Sequence, residues 1–303
     1  MQKALSGVPK GDRANYWLQR RVSKQMPRSD EHFLYQAGET LRHLQAWQRH
    51  RPSIPFEQAR LYEFGAGWDL TTPLIFYGLG ATQQTLVDIR LNLRFEDVDH
   101  SISQYERHRG ALEQQSGRPL RDLGSGAVRS IDDLQRRFGI VYLAPCDARN
   151  TGLPEKSFDL VSSTNTLEHI PGPDIAAILS EARRLLSADG IVSGLVDMQD
   201  HYSYFDPSVS AFNFFRFSDR TWAAVNSSLH YQNRLRVPDY RDLIQRAGLE
   251  LVEEQTWGPT AADLDTIRAM RLASRFAKRY SVDDLATRAV HIISRRPVAA
   301  ELV

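Results

Sequence analysis

The sequence holds almost no sulfur chemistry. Its one cysteine, Cys146, excludes an intrachain disulfide and any zinc site built on several thiolates. It also argues against a cysteine-relay mechanism, because a lone thiol beside a strand end suits a small buried apolar role. Long apolar runs are missing too. None reaches the roughly 18 residues that span a bilayer, and the opening residues 1–13 lack the apolar segment of a signal peptide. Lys and Arg total 38 against 37 Asp and Glu, a formal net charge of +1. That balance argues against a nucleic-acid partner for the chain as a whole. Internal repeats and low-complexity tracts are absent. A cytoplasmic globular protein is the expectation these absences leave.

What is present fits that class. The 303 residues, 42% apolar and 25% charged, suffice for one large domain or two small ones. Residues 1–60 read as helical and basic. Lys3, Lys10, Arg13, Arg20, Arg21, Lys24 and Arg28 stand against Asp12 and Asp30, an excess that suits either a solvated helix face or a peripheral contact with an anionic membrane or an acidic glycan carrier. Phe33, Leu34, Leu41, Leu44 and Trp47 recur at near-helical spacing, and Arg51-Pro52-Ser53-Ile54-Pro55 ends that helix. Strand and helix patterns then alternate. Strands are expected at 61–64, 85–88, 140–143, 158–163 and 191–196, with helices at 69–79 and 173–187 and a long, polar, mostly helical connection at 91–138. Such alternation predicts an α/β, doubly wound, mainly parallel sheet, in which ligands bind outside the carboxyl ends of the strands.

The strand ends carry a set of acids and glycines. The first expected strand runs into Glu63-Phe64-Gly65-Ala66-Gly67, a turn that lets the backbone approach a ligand closely. A dinucleotide fingerprint would want a further glycine or alanine where Leu70 stands, and Glu63 suits a cationic ligand better than a pyrophosphate. Asp88 ends the second strand, where a carboxylate can accept from both hydroxyls of a ribose; a helix cap or surface acid is the plainer role. Cys146-Asp147-Ala148 follows the third strand, and Asp147 could accept from an adenine amino group or be an ordinary loop acid.

Together with Ser157-Phe158-Asp159-Leu160-Val161, Leu167-Glu168-His169-Ile170 and the helix-to-strand run from Glu181 to Gly190, these pieces resemble the class I S-adenosylmethionine-dependent methyltransferase family. The resemblance covers residues 61–197 and resumes at 238–254, with 288–296 as a seventh strand. It implies a seven-stranded sheet and S-adenosylmethionine as cofactor. By position, Glu63 would lie near the methionine amino end and Gly65, Ala66 and Gly67 under the sulfonium. Asp88, with Ile89 beside it, would hold the ribose, Asp147 and Ala148 would border the adenine, and Asn165 would add a contact after strand four. Asp69 stands where many members carry a third glycine, and the long connection between Asp88 and Asp147 implies an inserted helical element beside the cofactor. The expected division is a helical segment over 1–60 and a methyltransferase domain over 61–303 with inserts at 91–138, 202–236 and 259–285.

Methyl transfer to a hydroxyl needs a base or a metal to remove its proton. The Asn/Asp-Pro-Pro-aromatic run of nucleobase-amine methylases is replaced here by Ser163-Thr164-Asn165-Thr166. His201, in Asp197-Met198-Gln199-Asp200-His201-Tyr202, is the first candidate for a general base, and His169 the second. The other readings of His201 are a structural histidine, or a divalent site shared with Asp197, Asp200 and Asp206; no metal is expected. Residues 202–222 hold Tyr202, Tyr204, Phe205, Phe212, Phe214, Phe215, Phe217 and Trp222, either the core of a lid or a stacking surface for a sugar. Arg234 and Arg236 could grip an anionic acceptor or be solvated surface charges. The Asp200-His201-Tyr202 segment, the aromatic stretch and Asn233-Arg234-Leu235-Arg236 resemble bacterial methyltransferases of cell-surface polysaccharide assembly. The implied activity is O-methylation of a sugar hydroxyl on a glycan or glycolipid precursor. A small-molecule O- or N-methyltransferase, and a cofactor-binding subunit without turnover, are the alternatives.

Overall fold

A computed structural model describes residues 28–226 and 231–297. The basic residues before Arg28, on which the expected membrane contact rests, lie outside them. Seven strands form one sheet: β1 (Arg60–Phe64), β2 (Gln83–Val87), β3 (Ile140–Leu143), β4 (Phe158–Thr164), β5 (Leu186–Asp197), β6 (Glu250–Trp257) and β7 (Ala289–Arg295). Their order is β3-β2-β1-β4-β5-β7-β6. The first five run parallel, and β7 lies antiparallel between β5 and β6. The order reverses between β1 and β4, so their carboxyl ends open a crevice at the topological switch point.

One sheet face is covered by α1 (Asp30–His50), α2 (Thr71–Gly78), α3 (Phe95–Ser116) and α4 (Ile131–Phe138). Phe33, Leu41, Leu44 and Trp47 of α1 enter the same apolar core as Leu61, Leu74, Phe76 and Leu86, so this helix is part of the sheet's packing. Ser29 caps it by accepting from the His32 N–H, with Asp30 and Glu31 in the first turn. A polar chain also ties α1 to the sheet. His43 Nδ1 lies 2.6 Å from Ser193 Oγ and its Nε2 3.0 Å from Thr164 Oγ1, while Ser193 Oγ lies 2.8 Å from His291 Nε2. Burial drives both imidazoles toward the neutral form, His291 down to about 4.

The other face carries α5 (Gly172–Leu185) and α7 (Val237–Arg246), whose Ile175, Ile178, Leu185, Tyr240 and Ile244 pack with Tyr62, Val161 and Val192. The helix expected to run to residue 187 stops at Leu185. Leu186 is buried and already pairs with Phe158, and the register shifts before Ile191 meets Leu160.

Residues 212–222 and 267–286 build a third core together. It joins Phe212, Phe214, Phe215 and Trp222, the last on α6 (Asp219–Val225), to Ile267 of α8 (Ala261–Ala269), Phe276 of α9 (Ser274–Arg279), Tyr280 just past it and Leu285 of α10 (Val282–Ala286). Most of the aromatic stretch is thus lid core. Arg234 and Arg236 are corrected here. Arg236 is 0% exposed and donates to the carbonyls of Met198, Asp284, Leu285 and Thr287. Arg234 donates to the Phe214 and Phe217 carbonyls and to Asp219. Both guanidiniums are consumed in holding the lid, because its loop carbonyls have no ladder to join.

Candidate active site

At the end of β1 the chain must turn under the loop that leaves β4. Gly65 has φ +74°, and a Cβ there would lie 2.3 Å from Thr166 Cγ2. Only glycine tolerates both conditions. A side chain at Gly65 therefore meets protein before it meets any ligand. Gly67 has φ +76° with open space where a Cβ would point, so its demand is on backbone alone. Ala66 is buried between them.

Glu63 lies just before this turn, 4% exposed, and its Oε2 has no hydrogen-bond partner. Burial, and secondarily Asp69, push its carboxyl up to about 8. A buried carboxylate oxygen with no partner is costly unless a cation meets it. Asp88 follows β2. One of its oxygens accepts from the Arg90 N–H at 3.1 Å and from Asn92 Nδ2 at 3.4 Å, and burial raises its carboxyl despite these bonds. The Cys146 N–H donates to the Asp88 carbonyl at 2.8 Å, which brings the loop after β3 alongside. In that loop Asp147 and Ala148 are both half-buried, and Asp147 is gripped by Arg149 through Nε and Nη2. Those bonds hold the Asp147 carboxyl below its ordinary value. Ile89 is 61% exposed and projects from the rim.

The loop after β4 begins at Asn165, in the left-handed region at φ +48°, with its N–H on the Leu195 carbonyl. Its side chain lies close to the phenol of Tyr35, which arrives from α1. Three residues on, Glu168 is 4% exposed and no side chain bonds either carboxylate oxygen. Burial, then Asp197, hold it well above the usual carboxylate range. His169 donates Nδ1–H to the Tyr231 carbonyl at 2.7 Å, and burial takes it down to about 4.

From β5, Asp197 reaches the same place. Its Oδ2 lies 3.1 Å from His201 Nε2 and accepts from the Tyr204 hydroxyl at 2.5 Å. Burial alone would raise Asp197, but these two contacts outweigh it and hold the carboxyl below its ordinary value. The His201 N–H is fixed by Gln232 Oε1 at 3.1 Å, and the His201 ring stands 4.9 Å from that of His169. The divalent site expected from Asp197, Asp200, His201 and Asp206 does not assemble. Asp200 turns to the Tyr202 N–H and Asp206 to Ser208, each closing its own loop turn. Tyr202, Tyr204 and Phe205 remain exposed beside His201.

Residues 122–193 match a family model described as a methyltransferase domain. The chain carries a methyltransferase domain there. Solved structures resemble the methyltransferase at low identity. An S-adenosylmethionine-dependent methyltransferase from Mesorhizobium loti is 17% identical, covering 82% of this chain and 97% of that one at a TM-score of 0.43. A TehB-like methyltransferase from Corynebacterium glutamicum is 13% identical, covering 97% and 99% at 0.43. The geranyl diphosphate C-methyltransferase of Streptomyces coelicolor is 10% identical, covering 87% and 77% at 0.46. Scores of this size carry no argument about the acceptor. No curated protein matches the methyltransferase.

The residues present fit the cofactor. The unpartnered Glu63 oxygen suits the ammonium of a bound amino acid, and Asp88 stands one residue beyond β2, beside the glycine turn. Sequence reasoning missed Tyr35 and passed over the side chain of Glu168. A single tyrosine on a helix carries no local signal of what it will face. Glu168 stands in a mostly polar run, Ser163 to His169, where one more acid does not stand out.

Proposed function

We propose that the methyltransferase acts in the cytoplasm and O-methylates a sugar hydroxyl of a glycan or glycolipid precursor. The observation that carries this reading is the Asp197–His201 pair, with Tyr204 on the same carboxylate, at the end of the strand beside β4. Such a pair suits the removal of a hydroxyl proton, which an amine acceptor in its neutral form does not require before attack. The exposed faces of Tyr202 and Phe205 offer stacking area for a sugar ring.

When bound, S-adenosylmethionine supplies a methyl on a sulfonium whose leaving group is already attached. Glu63 would hold its ammonium, Asp88 with Ile89 its ribose, and Asp147 with Ala148 its adenine edge. Asn165, beside Tyr35, would border the methyl-bearing end. His201 takes the acceptor hydroxyl's proton, Asp197 stabilises the imidazolium so formed, and His169 forms the wall against which that ring is set.

The test is turnover on a panel of sugar acceptors, with the methylated oxygen located by mass spectrometry. His201→Ala should lose at least about a hundredfold in turnover, with S-adenosylmethionine affinity nearly intact. Near-normal turnover in that variant, or transfer to amines alone, would overturn the reading.

A further inference from the structure

The loop after β4 and the turn after β5 bring together three side chains of the metal-binding kind. Glu168, His169 and His201 each offer one ligand atom, and these atoms lie within 4.8 Å of one another. The carboxylate of Glu168 is the telling member, because it is almost wholly buried and no side chain bonds either oxygen. Interiors tolerate such a group when a cation meets it. The histidines are already set as ligands usually are. His169 gives Nδ1–H to the Tyr231 carbonyl, which leaves the Nε2 lone pair free of a proton. Asp197 stands behind His201, its Oδ2 3.1 Å from Nε2, as carboxylates stand behind metal-bound imidazoles.

We propose that Glu168, His169 and His201 bind a divalent transition-metal ion on the acceptor side of the transfer site. Two imidazoles with one carboxylate suit zinc, iron(II) or manganese(II), whereas magnesium and calcium take oxygen ligands. Three protein ligands leave a position for the acceptor's own oxygen. The consequence for chemistry rests on the hydroxyl reading above; the binding of the ion does not. An ion at this place lowers the pKa of a hydroxyl that joins it. In the ion-bound enzyme His201 is a ligand, and the hydroxyl's proton passes to solvent instead of to its imidazole.

The experiment uses the full chain stripped of metal, with S-adenosylmethionine but no acceptor, titrated with zinc chloride by calorimetry and with manganese(II) by electron paramagnetic resonance. The wild type should take up one ion per chain. Glu168→Gln and His169→Gln should bind it at least about tenfold more weakly while still binding S-adenosylmethionine, which reports the fold. Zinc should raise the unfolding temperature of the wild type and leave that of Glu168→Gln unmoved. Equal uptake by wild type and both variants, or none at all, overturns the site. Hydroxyl methylation by a protein that takes up no ion overturns the ion and leaves the hydroxyl reading standing. A protein that binds the ion and methylates only amines does the reverse.

Discussion

The two halves of the transfer site are made differently. The half we assign to the cofactor hangs on the ends of β1, β2 and β3, and the groups proposed for it sit within a few residues of a strand: Glu63 and Gly65 at β1, Asp88 at β2, Asp147 after β3. The acceptor half is assembled from segments far apart in the chain. Tyr35 comes from α1, Glu168 and His169 from the loop after β4, Asp197 and His201 from the end of β5, and Tyr231 and Gln232 from the lid. A strand end delivers its side chain wherever the sheet forms. A convergent cluster exists only while several packing contacts hold at once, so the acceptor half should respond to damage at a distance and the cofactor half only to damage within it.

Arg236 offers the hardest blow to that contrast. Replacing it with methionine keeps apolar volume and strands the Met198, Asp284, Leu285 and Thr287 carbonyls. Urea unfolding should show a loss of about 3–5 kcal/mol, and acceptor turnover should suffer more than cofactor affinity in whatever remains folded. A loss below about 1 kcal/mol would mean that water replaces the guanidinium and that the lid does not depend on it.

Gly65→Val strikes the cofactor half from within. The left-handed backbone and the Thr166 side chain both oppose it, and S-adenosylmethionine affinity should fall at least about a hundredfold, with circular dichroism confirming a folded chain. Normal binding would place the cofactor away from this turn. Asp88→Ala is milder. Two charge-assisted hydrogen bonds to a ribose, each about 1.5–3 kcal/mol, predict at least a roughly tenfold weaker cofactor by calorimetry, and unchanged affinity would remove Asp88 from the site.

The smallest effect is a slope. Glu63 keeps its proton in the folded protein up to about pH 8, against an ordinary glutamate value of 4.5. Between those values the unfolded chain binds fewer protons, so stability present below this window is lost as pH rises through it. Glu63→Gln should flatten that fall in a series of unfolding curves. In the wild type, S-adenosylmethionine should bind more tightly as pH approaches 8, releasing a proton that calorimetry in two buffers of different ionisation enthalpy can count. A pH-independent difference between variant and wild type would show Glu63 ionised throughout.

The contrast between the halves also explains what could be read from the sequence. Alternating strand and helix patterns, with acids and glycines at strand ends, are local signals, and they placed the sheet and the cofactor-side candidates Glu63, Gly65 and Asp88. The lid resisted because nothing local says that residues 212–222 will pack against 267–285. The charges of Arg234 and Arg236 looked like surface for the same reason. Whether a guanidinium meets water or four carbonyls is decided by segments dozens of residues away. His201 was singled out, yet its partners Tyr204, Gln232 and His169 follow from packing alone.

The polar chain that seats α1 on the sheet has a direction. Ser193 owns one hydroxyl hydrogen, and each neutral imidazole beside it owns one ring hydrogen. If His43 gives its Nδ1 hydrogen to Ser193, Ser193 must give its own to His291, and Thr164 must give to His43 Nε2. The opposite arrangement reverses all three bonds together. Only these two orders keep each link occupied by a single hydrogen, so the four side chains switch as a set or not at all, and the tautomer of a histidine on the helix is read out by a histidine on β7.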